Sequence, residues 1–178
     1  VTSFLSVISK GAIAFVLIAI LYKVFAPLHL IWYWMLVALA VLTMVTGNLF
    51  ALRQQNMKRF LAFSSIAQVG FIMVGISGHG QGGTASVMYF VLFYLFSNLA
   101  AFAVADIVSV HTGKENVDDY KGMYQHNPFL VWMLALALFS LAGIPPTAGF
   151  FGKFFLLLAG AGKTSSSGWQ LNYILITI

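Results

Sequence analysis

Two lysines of this chain stand where a charge is expensive. Lys10 lies near the middle of an apolar run over Val1–Phe25, about 14 Å from its start at helical rise. That is too deep for its side chain to reach an interface easily. Lys153 follows one turn after a second unusual stretch, Gly143-Ile144-Pro145-Pro146-Thr147-Ala148-Gly149, inside another apolar run. A charged side chain within an apolar span marks an ion or proton path by default. An amine taken out of water also suits a group that must both take up and release protons. Each lysine has a plainer reading: Lys10 as a side chain reaching a nearby interface, Lys153 as a snorkelling lysine beside a packing kink.

The chemistry proposed for Lys153 depends on the break before it. Pro145 and Pro146 each remove a backbone donor and clash with the preceding turn, while Gly143 and Gly149 flank them. Lipid offers nothing to the backbone groups so freed, and such a break survives only against protein or a water-filled cavity. The end of the first half-helix, near Gly143, presents free carbonyls and a partial negative charge suited to an ammonium. Discontinuous helices build mid-membrane ion sites of this kind in transporters.

Other polar residues could extend a hydrogen-bonded path. Ser64 and Gln68 share one helix face at i, i+4, as do Tyr94 and Asn98. Hydroxyls and amides hold water wires, and they also cement helix–helix contacts; both readings stand. Asp106 reads as an interfacial carboxylate, and Lys58 and Arg59 as residues that set topology. His29, His79, His111 and His126 fall in expected loops, where solvation is the simplest reading, and they form no metal-ligand spacing. There is no cysteine, nucleotide loop, catalytic triad or redox-centre ligand set, so any redox chemistry is expected elsewhere.

The elements that must position these residues are membrane spans. Of 178 residues 61% are hydrophobic and 7% charged, against roughly a quarter charged in a soluble domain. Mean hydropathy is +0.94. The expected fold is all-α, a polytopic transmembrane helical bundle forming a single domain over 1–178. Apolar segments run over Val1–Phe25, Ile31–Leu52, Phe60–Ile76, Ala85–Val110, Pro128–Ala159 and from Trp169 onward. The first four each suit one crossing. The fifth would be roughly 48 Å long if straight, too long for a ~30 Å core, and the Gly143–Gly149 break resolves it into two half-helices.

Arg53, Lys58, Arg59, Lys114 and Lys121 fall in the loops 53–59 and 111–127 on one side, against Lys23 and Lys163 on the other. The positive-inside rule makes the first side cytoplasmic, or matrix or stroma in an organelle. A net charge of +5 therefore speaks for membrane orientation rather than nucleic-acid binding. Trp32, Tyr33 and Trp34 suit an aromatic belt at the opposite interface. Gly78–Gly83 and Thr164–Gly168 read as flexible loops. Val1 opens inside one apolar run and Ile178 closes a few residues into another, so an internal piece of a longer protein is expected.

The runs Gly47-Asn48-Leu49, Asn56-Met57-Lys58-Arg59-Phe60-Leu61-Ala62-Phe63-Ser64-Ser65-Ile66 and Leu141 through Lys153 closely resemble the antiporter-like membrane subunits of respiratory complex I. That family is related to cation/proton antiporter subunits. The resemblance covers essentially the whole chain, and Gly149-Phe150-Phe151-Gly152-Lys153-Phe154 favours its subunit N branch. It implies about fourteen helices built from two inverted repeats. On that template the chain begins at the eighth helix, and Pro128–Ala159 is the broken twelfth. Lys10 matches the family's central lysine, and Lys153 the terminal lysine through which protons exchange with the outer side. Gln68 stands where many relatives carry histidine; an amide orders water but does not titrate, so relay there would pass through water or another group.

The resemblance further implies a proton-translocating subunit of an NADH–quinone oxidoreductase, a translocase without a redox active site of its own. FMN, iron–sulfur clusters and quinone would belong to partner subunits, with no cofactor or metal in this chain. Its partners would be other membrane subunits of complex I, antiporter-like and small helical ones, and lipid, with no nucleic acid. A bacterial inner membrane is the expected setting, an organellar energy-transducing membrane the alternative. Two other readings stand beside it: a cation/proton antiporter subunit with no redox partner, and a degenerate copy that only packs in an assembly.

Overall fold

A computed structural model describes residues 2–78, 81–113 and 115–161. His79, Lys114, Lys163, the loop Thr164–Gly168 and the apolar run from Trp169 lie outside the described residues. The described chain is helical: α1 (Thr2–Lys23), α2 (His29–Leu52), α3 (Met57–Ser77), α4 (Gln81–Thr112), a short α5 (Met123–His126), α6 (Pro128–Ala142) and α7 (Ala148–Ala161). By length and apolarity, Ala26–Leu52, Met57–Ser77 and Gly82–Thr112 can each cross a membrane. At 22 residues α1 is also of spanning length, and α6 and α7 are shorter apolar helices.

α4 is the central post. It packs against α1, α3, α6 and α7, whereas α2 leans chiefly on α3. The core follows from that arrangement: Val87, Phe90, Ala101 and Val104 of α4 are buried with Leu61 and Ile76 of α3 and Leu156 of α7. α2 keeps much of its apolar surface outward, including Leu30, Ile31, Met35, Leu42 and Leu52.

Several elements depart from the sequence expectation for physical reasons. α4 begins at Gln81, so Gly82 and Gly83 are helical rather than loop residues. A Cβ on Gly83 would stand 2.8 Å from the Gly75 carbonyl oxygen, and the missing side chain lets α3 and α4 approach there. Lys58 and Arg59 sit in the first turn of α3, not in a loop. Asn56 caps that turn, its side chain accepting from the backbone N–H of Lys58 (3.0 Å) and Arg59 (3.2 Å). His29 opens α2 and packs its ring against Trp32, centroids 4.7 Å apart, and Tyr33. Trp32 itself turns into the core and donates from Nε1 to the Phe25 carbonyl at 3.0 Å; of the expected aromatic belt, Trp34 is the exposed tryptophan. His111 and His126 are exposed, as expected, but stand at the ends of α4 and α5 rather than in loops.

The break is present and tighter than the sequence suggested. α6 begins with Pro128 in its first turn and ends at Ala142, with Gly143 left-handed at φ +81°. The Gly143 N–H donates to the carbonyls of Phe139 (2.9 Å) and Ser140 (3.2 Å), and the Ile144 N–H to Phe139 (3.0 Å). Pro145 and Pro146 occupy the connection, joined by a cis peptide bond. Gly149 is not part of it but already in α7, where it lies directly over the end of α6. A Cβ there would fall 1.8 Å from the Ser140 carbonyl oxygen, so only glycine lets the two half-helices stack this closely.

Candidate proton-transfer site

Lys153 caps the helix it interrupts. From α7 its Nζ reaches back across the break and donates to the carbonyls of Leu141 (2.7 Å) and Ala142 (3.2 Å). These are two of the orphan acceptors that any helix end leaves, at the negative end of the α6 dipole. Gly143 makes room: a Cβ on it would stand 3.0 Å from Lys153 Cδ. The ammonium also lies 4.8 Å from the centroid of the Phe71 ring.

Gln68 belongs to the same cluster. Buried on α3, it donates from Nε2 to the Leu141 carbonyl at 3.1 Å, so the amide and Lys153 share one oxygen. Ser64 turns its hydroxyl to the Leu61 carbonyl of its own helix at 2.9 Å. Ser64, Gln68, Phe71, Leu141 and Lys153 line an open cleft of about 630 Å³ whose walls extend to Asn48, Leu52 and Phe60. A larger hollow of about 850 Å³ lies where α4, α5 and α6 meet, lined by His111, Lys121 and His126 among others, and holds none of the expected site residues.

Lys10 forms a second cluster. It is half-buried on α1, and its Nζ donates to Ser65 Oγ on α3 at 2.5 Å. Tyr94, 4% exposed, brings its hydroxyl from α4 against Ser65 without reaching hydrogen-bonding geometry. Asn98 is buried one turn further along α4. Sequence reasoning missed Ser65. Its position directly after Ser64 turns it about 100° around the helix, toward α1, and only the packing reveals which serine meets the lysine.

Among the described residues neither Lys10 nor Lys153 has a carboxylate partner. The described ion pairs are elsewhere. Lys58 reaches Asp106 at 3.0 Å and Glu115 at 3.3 Å, and Lys121 pairs with Asp118 at 2.6 Å. Asn56 (2.9 Å) and Ser109 (3.0 Å) donate to Glu115 as well. Backbone bonds from Met57 N–H to the Glu115 carbonyl (2.9 Å) and from Val117 N–H to the Gln55 carbonyl (2.8 Å) close this knot. Asp106 is therefore a partner of Lys58, binding the end of α4 to the start of α3.

The geometry is thus of two amines held by neutral oxygens, one of them at the end of a helix that stops at Gly143, and sequence comparison shows the family. Residues 1–178 match the transmembrane family of NADH:quinone oxidoreductase and Mrp antiporter subunits. The chain belongs to this family. It is an integral membrane protein of a kind found in bacterial membranes. It is 52% identical over 180 residues to NADH-quinone oxidoreductase subunit N of Azobacteroides pseudotrichonymphae, covering 100% of this chain and 36% of that protein. In three dimensions it resembles a chain of the Mrp complex from Dietzia (TM-score 0.85, 22% identity, 98% of this chain and 32% of that one). It also resembles a chain of respiratory complex I from Thermus thermophilus (TM-score 0.60, 31% identity, 79% of this chain and 32% of that one). The chain thus spans about a third of the length of the proteins it matches.

Proposed function

We propose that this chain is part of a proton-translocating subunit of an NADH–quinone oxidoreductase, with Lys10 and Lys153 as its exchanging groups. Electron transfer in partner subunits, which would hold the FMN, iron–sulfur clusters and quinone, drives the two lysines to alternate in protonation. Each biases the other through an interior where charges are weakly screened. The broken helix gates access, because Lys153 caps α6 firmly only while it is an ammonium. Gln68 and Ser64 line the approach to Lys153; Tyr94 and Asn98 stand on the Lys10 side.

The observation that carries this reading is the Lys153 ammonium on the Leu141 and Ala142 carbonyls, a charge-assisted cap that proton loss would weaken. The similarity to subunit N at 52% identity supports a redox driver over a free-standing antiporter, since the likeness to the Mrp chain is one of fold. The test is extraction of the full-length protein from native membranes in mild detergent. Flavin, iron–sulfur clusters and NADH-oxidising activity should come with it. Co-purification with small membrane subunits alone, with sodium-sensitive proton flux, would establish the antiporter reading instead.

A further inference from the structure

Ser65 has one proton and two lone pairs, and the structure gives partners to the proton and to one of the lone pairs. Its O–H donates to the Ala62 carbonyl of its own helix at 2.6 Å. One lone pair accepts from the Lys10 ammonium. The Tyr94 hydroxyl lies beside the same oxygen, fully buried and with no hydrogen-bond partner among the described residues. A buried tyrosine hydroxyl nearly always finds a partner, and one left in reserve calls for an explanation.

We propose that Ser65 and Tyr94 are positioning residues that serve Lys10 in both of its protonation states. With Lys10 charged, Ser65 accepts from the ammonium and keeps its own proton on Ala62. With Lys10 neutral, the amine offers a lone pair. Ser65 then rotates its O–H from Ala62 to that lone pair, and Tyr94 donates to the Ser65 oxygen. No proton passes between the three groups; the Ser65 and Tyr94 hydroxyls turn about their C–O bonds, and the bonds from Lys10 to Ser65 and from Ser65 to Ala62 give way to those from Ser65 to Lys10 and from Tyr94 to Ser65. The neutral amine is thereby as well satisfied as the ammonium, and Lys10 is not trapped in either state.

The titratable group facing this cluster from a neighbouring element is Lys153 of α7, which shares the Leu141 carbonyl with Gln68, one turn from Ser65 on α3; the others stand off. On α3, Lys58 and Arg59 lie six or more residues before Ser65, roughly 9 Å or more along the axis. On α4, Tyr89, Asp106 and His111 are about 7, 18 and 25 Å from Tyr94, and on α1 Tyr22 and Lys23 are about 18 Å or more from Lys10.

This inference rests on Lys10 being an exchanging group, and the experiment separates the two. In the full-length protein within its native complex, Ser65→Ala, Ser65→Thr, Tyr94→Phe and Lys10→Gln are compared by proton pumping in sealed membrane vesicles across a pH series. Ser65→Ala should slow pumping about tenfold, and Ser65→Thr, which keeps the hydroxyl, should restore it at least partly. Tyr94→Phe fills the same space but removes the donor reserved for the neutral state, and should move the pH profile of pumping to higher pH. A packing role alone would leave that profile in place. If Ser65→Ala fails to assemble, the near-isosteric Tyr94→Phe carries the test. Loss of pumping in Lys10→Gln with parental rates and pH profiles in Ser65→Ala and Tyr94→Phe would overturn the positioning role and leave Lys10 standing. Normal pumping in Lys10→Gln would overturn both.

Discussion

Lys58 and Lys153 are both lysines on apolar helices, and their surroundings could hardly differ more. Lys58 sits at the basic surface between Asp106 and Glu115, with Ser109 3.2 Å from its Nζ. Lys153 sits at the helix break on two backbone carbonyls, with an aromatic face beside it. A lysine between two carboxylates is held in its charged state, because deprotonation would leave two anions facing each other. A lysine held by neutral oxygens leaves no orphan charge when its proton departs. On the proposed function the pairing chemistry separates a fastener from an exchanger, and the two can be broken independently.

The largest effect should come from Lys153→Met, which removes both the titrating group and the cap on α6. Proton pumping in the full-length protein should be lost while NADH oxidation continues or slows. Pumping at the parental rate would remove Lys153 from the path. Next is Gly149→Ala, whose Cβ would meet the Ser140 carbonyl oxygen at 1.8 Å. Overpacking there should cost about 1–3 kcal/mol and lower the thermal unfolding midpoint of the detergent-solubilised protein. An unchanged midpoint would mean that the half-helices part without penalty. Gln68→Ala is milder, leaving the Leu141 carbonyl to Lys153 alone. A loss of about 0.5–1.5 kcal/mol is expected, with pumping reduced rather than abolished.

The smallest effect belongs to the surface knot. Hydrogen bonds from Asn56 and Ser109, then Lys58, hold the Glu115 carboxyl below the usual carboxylate range. A lowered folded-state value means the contribution is full at neutral pH, above the unfolded-state value, and is lost as pH falls through the folded one. The amides of Met57 and Val117 should therefore lose hydrogen-exchange protection, corrected for intrinsic rate, in strongly acidic buffer and not at neutral pH. Glu115→Gln should weaken the same amides slightly at neutral pH and leave pumping unchanged.

Much of this was legible in the residues. The helices of spanning length and the interruption between α6 and α7 follow from apolar length and the Gly143–Pro146 cluster, since lipid permits few backbone solutions. Lys10 and Lys153 announce themselves by cost alone. The periodicity of an all-apolar helix, however, does not say which face meets which neighbour, so it cannot tell Ser65 from Ser64 as the partner of Lys10, nor a buried Trp32 from a belt residue. Gly149 looked like part of the break because glycine near proline usually marks a turn. Its function is clearance for the end of α6: a Cβ there would strike the carbonyl oxygen of Ser140, nine positions earlier, a proximity that no sequence pattern announces. The Asp106–Lys58–Glu115 knot was equally hidden, because it joins residues 48 and 57 positions apart, counted from 58 to 106 and 58 to 115.

The most direct test of the account replaces each lysine by arginine, which keeps the charge and the donors but does not release a proton in a protein. Proton pumping and NADH oxidation would be measured together in sealed vesicles carrying Lys58→Arg or Lys153→Arg. The account predicts that Lys58→Arg pumps like the parent, while Lys153→Arg assembles, oxidises NADH and does not pump. Parental pumping in Lys153→Arg would contradict it, because a fixed charge would then suffice where an exchanging one is required.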